Sequence, residues 1–541
     1  MRKRNLLLII LLVFSLFYLI ACDSDNSTDA TELANPSEAL ASTDGDRSSS
    51  HSETDGCKHV YSSDCDAYCD ICEAERTNVR KHLYDSDATC EDIVCTICSQ
   101  VKKQDHDYVG KNCSKCNAVR PYELPENLGM PMVYLSDYID GETAIANLKK
   151  ADGEIAVRFK YVSNSEEIED FECVTKIKIQ GASSAYHPKK NFTVKLFEDD
   201  SFTSKFKVDL GWGKENKYCM KANYIDASHA RNIIGARLAA QVTATRTNIA
   251  PGLAAAPNYG LIDGYPILVF INNYFYGIYT MNIPKDDWQF AMNGGEESKE
   301  AILMAGKWTD SVKLAEPIGE SFEESGWEVE HCSTVDQTWI RDSFNELIEL
   351  LNCGDEERIR AELPEHLDIE AAIDNFIVTY AINAVDNLSK NILWVTYDGK
   401  VWIPSMYDMD ATFGMWWEGT PIGTPDTIAT KNMYPSITED GSYSISLNSS
   451  MVQHIIIQLY ADELEARWSE LRQEIITVQN VSQLFNEFFA LIHDDAFYLD
   501  SKRWPNIPYF STNRTNMYKA FEEQLARVDA FCYNFNKQPE S

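Results

Sequence analysis

Residues 384–414, AVDNLSKNILWVTYDGKVWIPSMYDMDATFG, carry Asp386, Asp398, Asp408 and Asp410 on or beside strand-forming runs. Carboxylates set among tryptophans, tyrosines and methionines cost free energy unless a cation or hydrogen-bond donors compensate them. Asn391 follows Asp386 by five residues, the D-x-x-x-x-N spacing that supplies a base and a magnesium ligand in protein-kinase catalytic loops. That pattern arises readily by chance, but the turn Tyr407-Asp408-Met409-Asp410-Ala411-Thr412-Phe413-Gly414 adds weight to it. Two carboxylates and an amide at the mouth of a hairpin are the hard oxygen ligands Mg²⁺ prefers. Strand-end aspartates that merely cap turns are the plainer alternative.

A second cluster is Gly181-Ala182-Ser183-Ser184-Ala185-Tyr186-His187-Pro188-Lys189-Lys190. Glycine, small hydroxyls and paired lysines in a turn offer backbone N–H groups and ammonium charge to a phosphate. A solvated polar hairpin loop would have much the same composition. Taken together, the clusters suggest a nucleotide whose phosphates meet Lys189 and Lys190 with Ser183 and Ser184. Asp408 and/or Asp410, with Asn391, would hold Mg²⁺, and Asp386 would orient or deprotonate an acceptor hydroxyl. Such catalysis is mostly positioning and charge neutralisation. The chain has neither a Walker A sequence nor G-x-G-x-x-G, which disfavours a P-loop or a conventional protein-kinase fold.

The elements that must position these groups fall into two halves. Alternating runs MVYLSDYI, IAVRFKYV, TKIKIQG and NFTVKLF read as strands, and YPILVFINNYFYGIYTMNI reads as a hairpin turning at Asn272-Asn273. A helical pattern runs through ARNIIGARLAAQV, with its start signalled by Asp226-Ala-Ser-His. Beyond it the chain is mainly helical: 337–353, 368–385, 451–478, 481–492 and 513–535, interrupted by the strands ILWVTYD and VWIPSMYD. The helix from Asp368 to about Val385 is expected to deliver Asp386 at its end. The fold class expected is α+β, with a strand-rich lobe, a helical lobe and a cleft between them.

At 541 residues and 44% hydrophobic content the chain can bury a substantial core and suggests about two to four domains. Its net charge of −36 repels nucleic acid and anionic membranes, so neither is an expected partner surface. Residues 1–22, MRKRNLLLIILLVFSLFYLIAC, combine a basic start with an apolar stretch and end in a lipobox-like Leu19-Ile20-Ala21-Cys22. They read as a lipoprotein signal with lipidation at Cys22. The expected place is therefore the outer face of the bacterial cytoplasmic membrane, with a lipid anchor as the only membrane contact. Residues 23–55 are almost all small, polar or acidic and read as a disordered stalk.

Residues 56–120 form a Cys/His-rich repeat. His59, His82 and His106 recur at spacings of 23 and 24 residues, each ahead of a C-x-x-C pair: Cys69/Cys72, Cys95/Cys98 and Cys113/Cys116. A C-x-x-C turn presents two thiolates to one ion, and recurring histidine favours structural Zn²⁺; disulfides are the rival in an exported chain. Residues 125–541 form the main domain.

IKIQGASSAYHPKKNFTVKLF, KANYIDASHARNIIGARLA, VFINNYFYGIYTMNIPKDD, VDNLSKN and YDMDATFG, in that order, resemble the spore coat protein H (CotH) kinase-like family. The resemblance implies an atypical protein-kinase fold that uses ATP and Mg²⁺ to phosphorylate serine or threonine in a protein substrate. By position Lys190, with Lys189, resembles the nucleotide-phosphate lysine, Asp386 the catalytic aspartate with Asn391 beside it, and Asp408 with Asp410 the metal pair. Arg231 and Asn232 match an R-N block, and Arg231 is counted with the nucleotide-binding set. Three positions depart from the family: Gln180 and Ala182 replace an arginine and an asparagine, and Asn282 replaces a glutamate. Asp286 or Asp287 is a substitute candidate for that glutamate. The alternative function is a non-catalytic surface or envelope-assembly protein that keeps the fold.

Overall fold

A computed structural model of the chain describes residues 128–138, 145–295, 297–422, 443–507 and 514–534, with short pieces at 68, 75–76, 93–94, 101–102, 108–109, 112–113 and 436–437. Two compact units result, Met1–Ala118 and Val119–Ser541. In the first, two antiparallel pairs join Ile93–Val94 to Val101–Lys102 and Tyr108–Val109 to Asn112–Cys113. Cys22, Cys69, Cys72, Cys95, Cys98, Cys116, His59, His82 and His106 lie outside the described residues, as does the side chain of Cys113. The expectations of lipidation, zinc and disulfides rest on those positions. Among the described residues no helix is long and apolar enough to cross a membrane.

The second unit is α+β. Seven strands close a barrel: β1 (Met132–Asp137), β2 (Ile155–Val162), β3 (Phe171–Gln180), β4 (Asn191–Phe197), β5 (Lys217–Lys221), β6 (Gly264–Ile271) and β7 (Tyr274–Asn282). Their order is β5-β7-β6-β1-β2-β3-β4, returning to β5. All pairs are antiparallel except β6 with β1. Alternation explains the wall: along β2, Val157, Phe159 and Tyr161 point inward and Arg158 and Lys160 outward. The hairpin β6–β7 turns at Asn272 and Asn273, both left-handed at φ 50° and 67°, which asparagine tolerates better than most residues. The interior is filled by its own apolar cluster, so the barrel is a core rather than a pore.

A second, antiparallel sheet follows in the order β9-β8-β10-β11, from β8 (Ala301–Ala305), β9 (Trp327–Cys332), β10 (Ile392–Thr396) and β11 (Ile403–Met406). It packs with helices α1 (Arg231–Thr243), α2 (Thr338–Leu351) and α3 (Ile369–Ala381) into a larger core. There Phe344 of α2 takes Trp327, Trp394 and Trp402 edge-on, at centroid distances of 5.0, 5.3 and 5.0 Å. Longer helices that follow are α4 (Met451–Leu459), α5 (Ala461–Glu474), α6 (Val478–Phe489), α7 (Asp494–Arg503) and α8 (Arg514–Asn534), besides two short ones at Pro251–Ala255 and Glu356–Glu362.

Several boundaries differ from expectation for local reasons. α3 is capped by Asp368, which accepts from Ala371 N at 2.8 Å, but ends at Ala381, and Asn383 turns left-handed at φ 54°. Asp386 therefore sits in a loop, not at the helix end. The 451–478 helix breaks at Tyr460, whose φ of −127° leaves the helical range. Strands β8 and β9 and helix α7 are additions to the elements expected from sequence.

Candidate active site

The D-x-x-x-x-N spacing brings its two ends into contact. Asn391 follows its loop in a left-handed conformation, φ 56°, and its Nδ2 donates to Asp386 Oδ2 at 2.9 Å. That bond leaves the amide oxygen of Asn391 as the atom able to meet a cation. Lys390 Nζ sits 2.9 Å from the same carboxylate oxygen. Asn387 staples the loop to the strand end, donating to Asn391 O at 3.1 Å and Tyr407 O at 2.7 Å. Pairing of β10 with β11 through Ile392 and Met406 then sets Asn391 beside the acidic turn, where Tyr407 N donates to Asn391 O at 3.0 Å.

The turn itself is held from below. Asp408 is left-handed at φ 55°, and Met409 N donates to Asn232 Oδ1 at 2.9 Å. Arg231 is buried: its Nε donates to Thr412 O at 3.0 Å and its Nη1 to Asp226 Oδ1 at 2.7 Å. Arg231 thus braces the acidic turn and does not line the cleft in front of it. Asp398 also has a structural task, accepting from Lys400 N and Val401 N in the β10–β11 turn.

Asp386, Asn391, Asp408 and Asp410 all line one cleft of about 900 Å³, together with Ser183 and Ser184. Seven lysines and five carboxylates line it, and with Lys189 and Lys217 already paired to Asp500 and Asp286 behind the wall the cleft is close to neutral in a chain of net charge −36. Its lysines relieve locally the field by which the rest of the chain repels anions. Lys221, on β5, points its ammonium to within 3.6 Å of Asp408 Oδ1. Burial alone would lower the Lys221 ammonium, but Asp408, then Tyr407, Cys219 and Asp410, hold it above its usual range. Burial, then the neighbouring Asp408 charge, pushes the Asp410 carboxyl well above the usual carboxylate range, against the pull of Lys221. Tyr407 lies between two ammoniums, Lys221 at 5.6 Å and Lys285 at 5.7 Å from its ring centroid. Lys285 is paired with Glu330 and lies 3.6 Å from Glu328.

The two lysines singled out from sequence are placed otherwise. Lys189 reaches the cleft wall, but its Nζ donates to Asp500 Oδ1 at 2.8 Å and Ile278 O at 2.7 Å, buried. Lys190 Nζ donates to Ala185 O at 2.7 Å and is absent from the cleft lining. Gly181 begins this loop at φ 109°, where a Cβ would stand 1.9 Å from Ser184 Oγ, so glycine is required. Asn282 is buried in the β7 wall; with its nitrogen turned to donate, it bonds Thr280 Oγ1 at 2.8 Å. Asp286 pairs with Lys217 at 2.5 Å rather than with the loop lysines. Sequence reasoning missed Lys221 and Asp500. Lys221 lay within the quoted block KANYIDASHARN, but nothing local distinguished it from a strand-end lysine.

Among the described residues no group of three or more His, Cys, Asp or Glu side chains is gathered as a metal site. Two carboxylates and one amide oxygen still suit Mg²⁺, which takes few protein ligands and completes its shell with water and substrate phosphates. Asp410 fits that role: burial, then the like charge of Asp408, raises its carboxyl, and a cation between the two acids would relieve both costs.

A family model described as CotH kinase protein matches residues 177–533. No curated protein matches the chain.

Proposed function

The chain belongs to the CotH kinase protein family, and from that premise we propose that it transfers the γ-phosphoryl group of ATP, with Mg²⁺, to serine or threonine of a protein substrate. We further propose a kinase-like, two-lobed arrangement around the cleft and tethering outside the cytoplasmic membrane through lipid on Cys22. The observation that carries the reading is the meeting of Asp386, Asn391, Asp408, Asp410 and Lys221 in one lysine-rich cleft.

Asp408, Asp410 and the amide oxygen of Asn391 would hold Mg²⁺, which supplies neutralisation of phosphate charge when bound. Lys221, rather than Lys190, places an ammonium beside the metal pair and stabilises charge on the transferred group. Asp386, fixed by Asn391 and Lys390, orients the acceptor hydroxyl and takes its proton as the phosphorus–oxygen bond forms. Ser183 and Ser184 line the cleft from the glycine loop and are proposed to face the phosphates. The rearward residues Lys189, Lys190 and Arg231 act on loop geometry instead.

The test is phosphate transfer by the full chain with Mg²⁺ and γ-labelled ATP to a serine-containing acceptor protein, read as phosphoserine by mass spectrometry. Wild-type protein is expected to label and Asp386→Ala to fall by about 10³-fold or more. Equal labelling by both, or no nucleotide binding at millimolar ATP, overturns the proposal in favour of a binding protein.

A further inference from the structure

Among the described residues the two exposed tryptophans, Trp308 and Trp417 at 40% and 49% exposure, both line the cleft that holds Asp386. Exposed indoles are costly in water, and their confinement to one polar cleft marks a contact surface. Both flanks of Asp386 are tied to this patch. The Trp308 ring centroid is 5.8 Å from Lys390 Nζ, which is itself 2.9 Å from Asp386. Trp416, next to Trp417, packs on Val385, the residue before Asp386. Ser450 N donates to Leu388 O at 3.1 Å, drawing the segment of Asn448 against the same loop.

Resting on the phosphoryl-transfer reading above, we propose that Trp308 and Trp417 form an acceptor-peptide site that selects serine or threonine flanked by a large apolar or aromatic side chain. Residues 308, 385, 390, 416, 417 and 448 give this part of the lining one amide and one charge. The charge, Lys390, is already engaged by Asp386. A charged flank would find no uncommitted counter-charge there. A sugar ring, whose hydroxyls need acceptors as well as donors besides a stacking face, would find indole N–H groups but one side-chain acceptor among these six residues, the amide oxygen of Asn448. An apolar side chain loses nothing and gains the indole faces. The hydroxyl beside it then lies next to Asp386, where its proton must go.

Two readouts on the full chain separate this site from the transfer chemistry. Fluorescence anisotropy without nucleotide measures binding of labelled peptides carrying Ser flanked by Phe, Ala, Asp or Lys, and of a β-linked glucose oligomer. Transfer of labelled phosphate to the same acceptors gives kcat/KM. The Phe-flanked peptide should bind and react about tenfold better than the Ala-flanked one, and Trp308→Ala and Trp417→Ala should collapse that ratio toward one. Thermal melting confirms that each variant is folded. Apolar-selective binding abolished by these substitutions, with no transfer to any acceptor, upholds the docking site while removing the kinase. Tighter binding of charged peptides or of the glucose oligomer, or a ratio unchanged in both folded variants, overturns the proposal.

Discussion

Asp500 on α7, over three hundred residues away in the chain, anchors the cleft-wall Lys189, and its replacement gives a quantitative test. Its carboxylate accepts from Lys189 Nζ at 2.8 Å and Ile278 N at 2.9 Å, and lies 3.4 Å from His229 Nε2. Burial alone would raise this acid, but Lys189 and then His229 offset it and hold the carboxyl at about 2. Burial lowers the Lys189 ammonium despite its partner. The ion pair holds nonetheless, because Lys189 Nζ and Ile278 N both donate to the buried carboxylate. Against an unfolded aspartate near about 3.9, the depressed carboxyl stabilises the fold by on the order of 2–3 kcal/mol. Because the folded value is depressed, this contribution is present above about pH 4 and is lost as pH falls toward about 2. Asp500→Asn removes it and strands a buried ammonium, so the loss at neutral pH is expected at about 3–5 kcal/mol in urea denaturation. Gly277→Ala should imitate it, since a Cβ there, at φ 138°, would stand 2.5 Å from Asp500 Oδ1 and 2.9 Å from Lys189 Cε. Lys189→Met with Asp500→Leu should recover much of the loss. A loss under about 1 kcal/mol for Asp500→Asn, or strict additivity of the two single variants, would refute the buried pair as an anchor.

Lys221→Met should lower kcat/KM for phosphate transfer by about 10²–10³-fold, whereas Lys190→Met should stay within about twofold, as steady-state kinetics would show. The reverse order would return the phosphate role to Lys190. Because the Asp410 carboxyl is raised, a cation must displace its proton. Mg²⁺-nucleotide affinity, measured by calorimetry, should therefore strengthen as pH rises from about 5 to about 8, and Asp410→Asn should flatten that dependence. Arg231→Ala removes two bonds that tie the acidic turn to Asp226 and should cost about 3–5 kcal/mol in the same denaturation assay.

Legibility in the sequence followed the range of each interaction. The hairpin at Asn272-Asn273 and the contact of Asp386 with Asn391 depend on neighbours in the chain, and both could be read. Strands β8 and β9 could not, because β8 is buried by pairing with β10 from far along the chain and β9 only completes the edge beside β8, neither with a clean alternation of its own. The end of α3 is hard to read because the apolar run IVTYAINAV continues past Ala381, while the left-handed Asn383 beyond the helix end carries little signal. The inward turn of Lys189 could not be read for a similar reason. Two adjacent lysines in a glycine loop look like a phosphate site, and only Asp500, over three hundred residues away, turns one of them inward.

The most direct measurement is covalent labelling of the full chain with an acyl-phosphate derivative of ATP, which acylates the lysine beside the bound phosphates. Peptide mapping should find the acyl group on Lys221, removed by excess Mg²⁺-ATP and absent in Asp410→Ala. Label on Lys190, or label at Lys221 that ATP does not compete away, would contradict a nucleotide in this cleft.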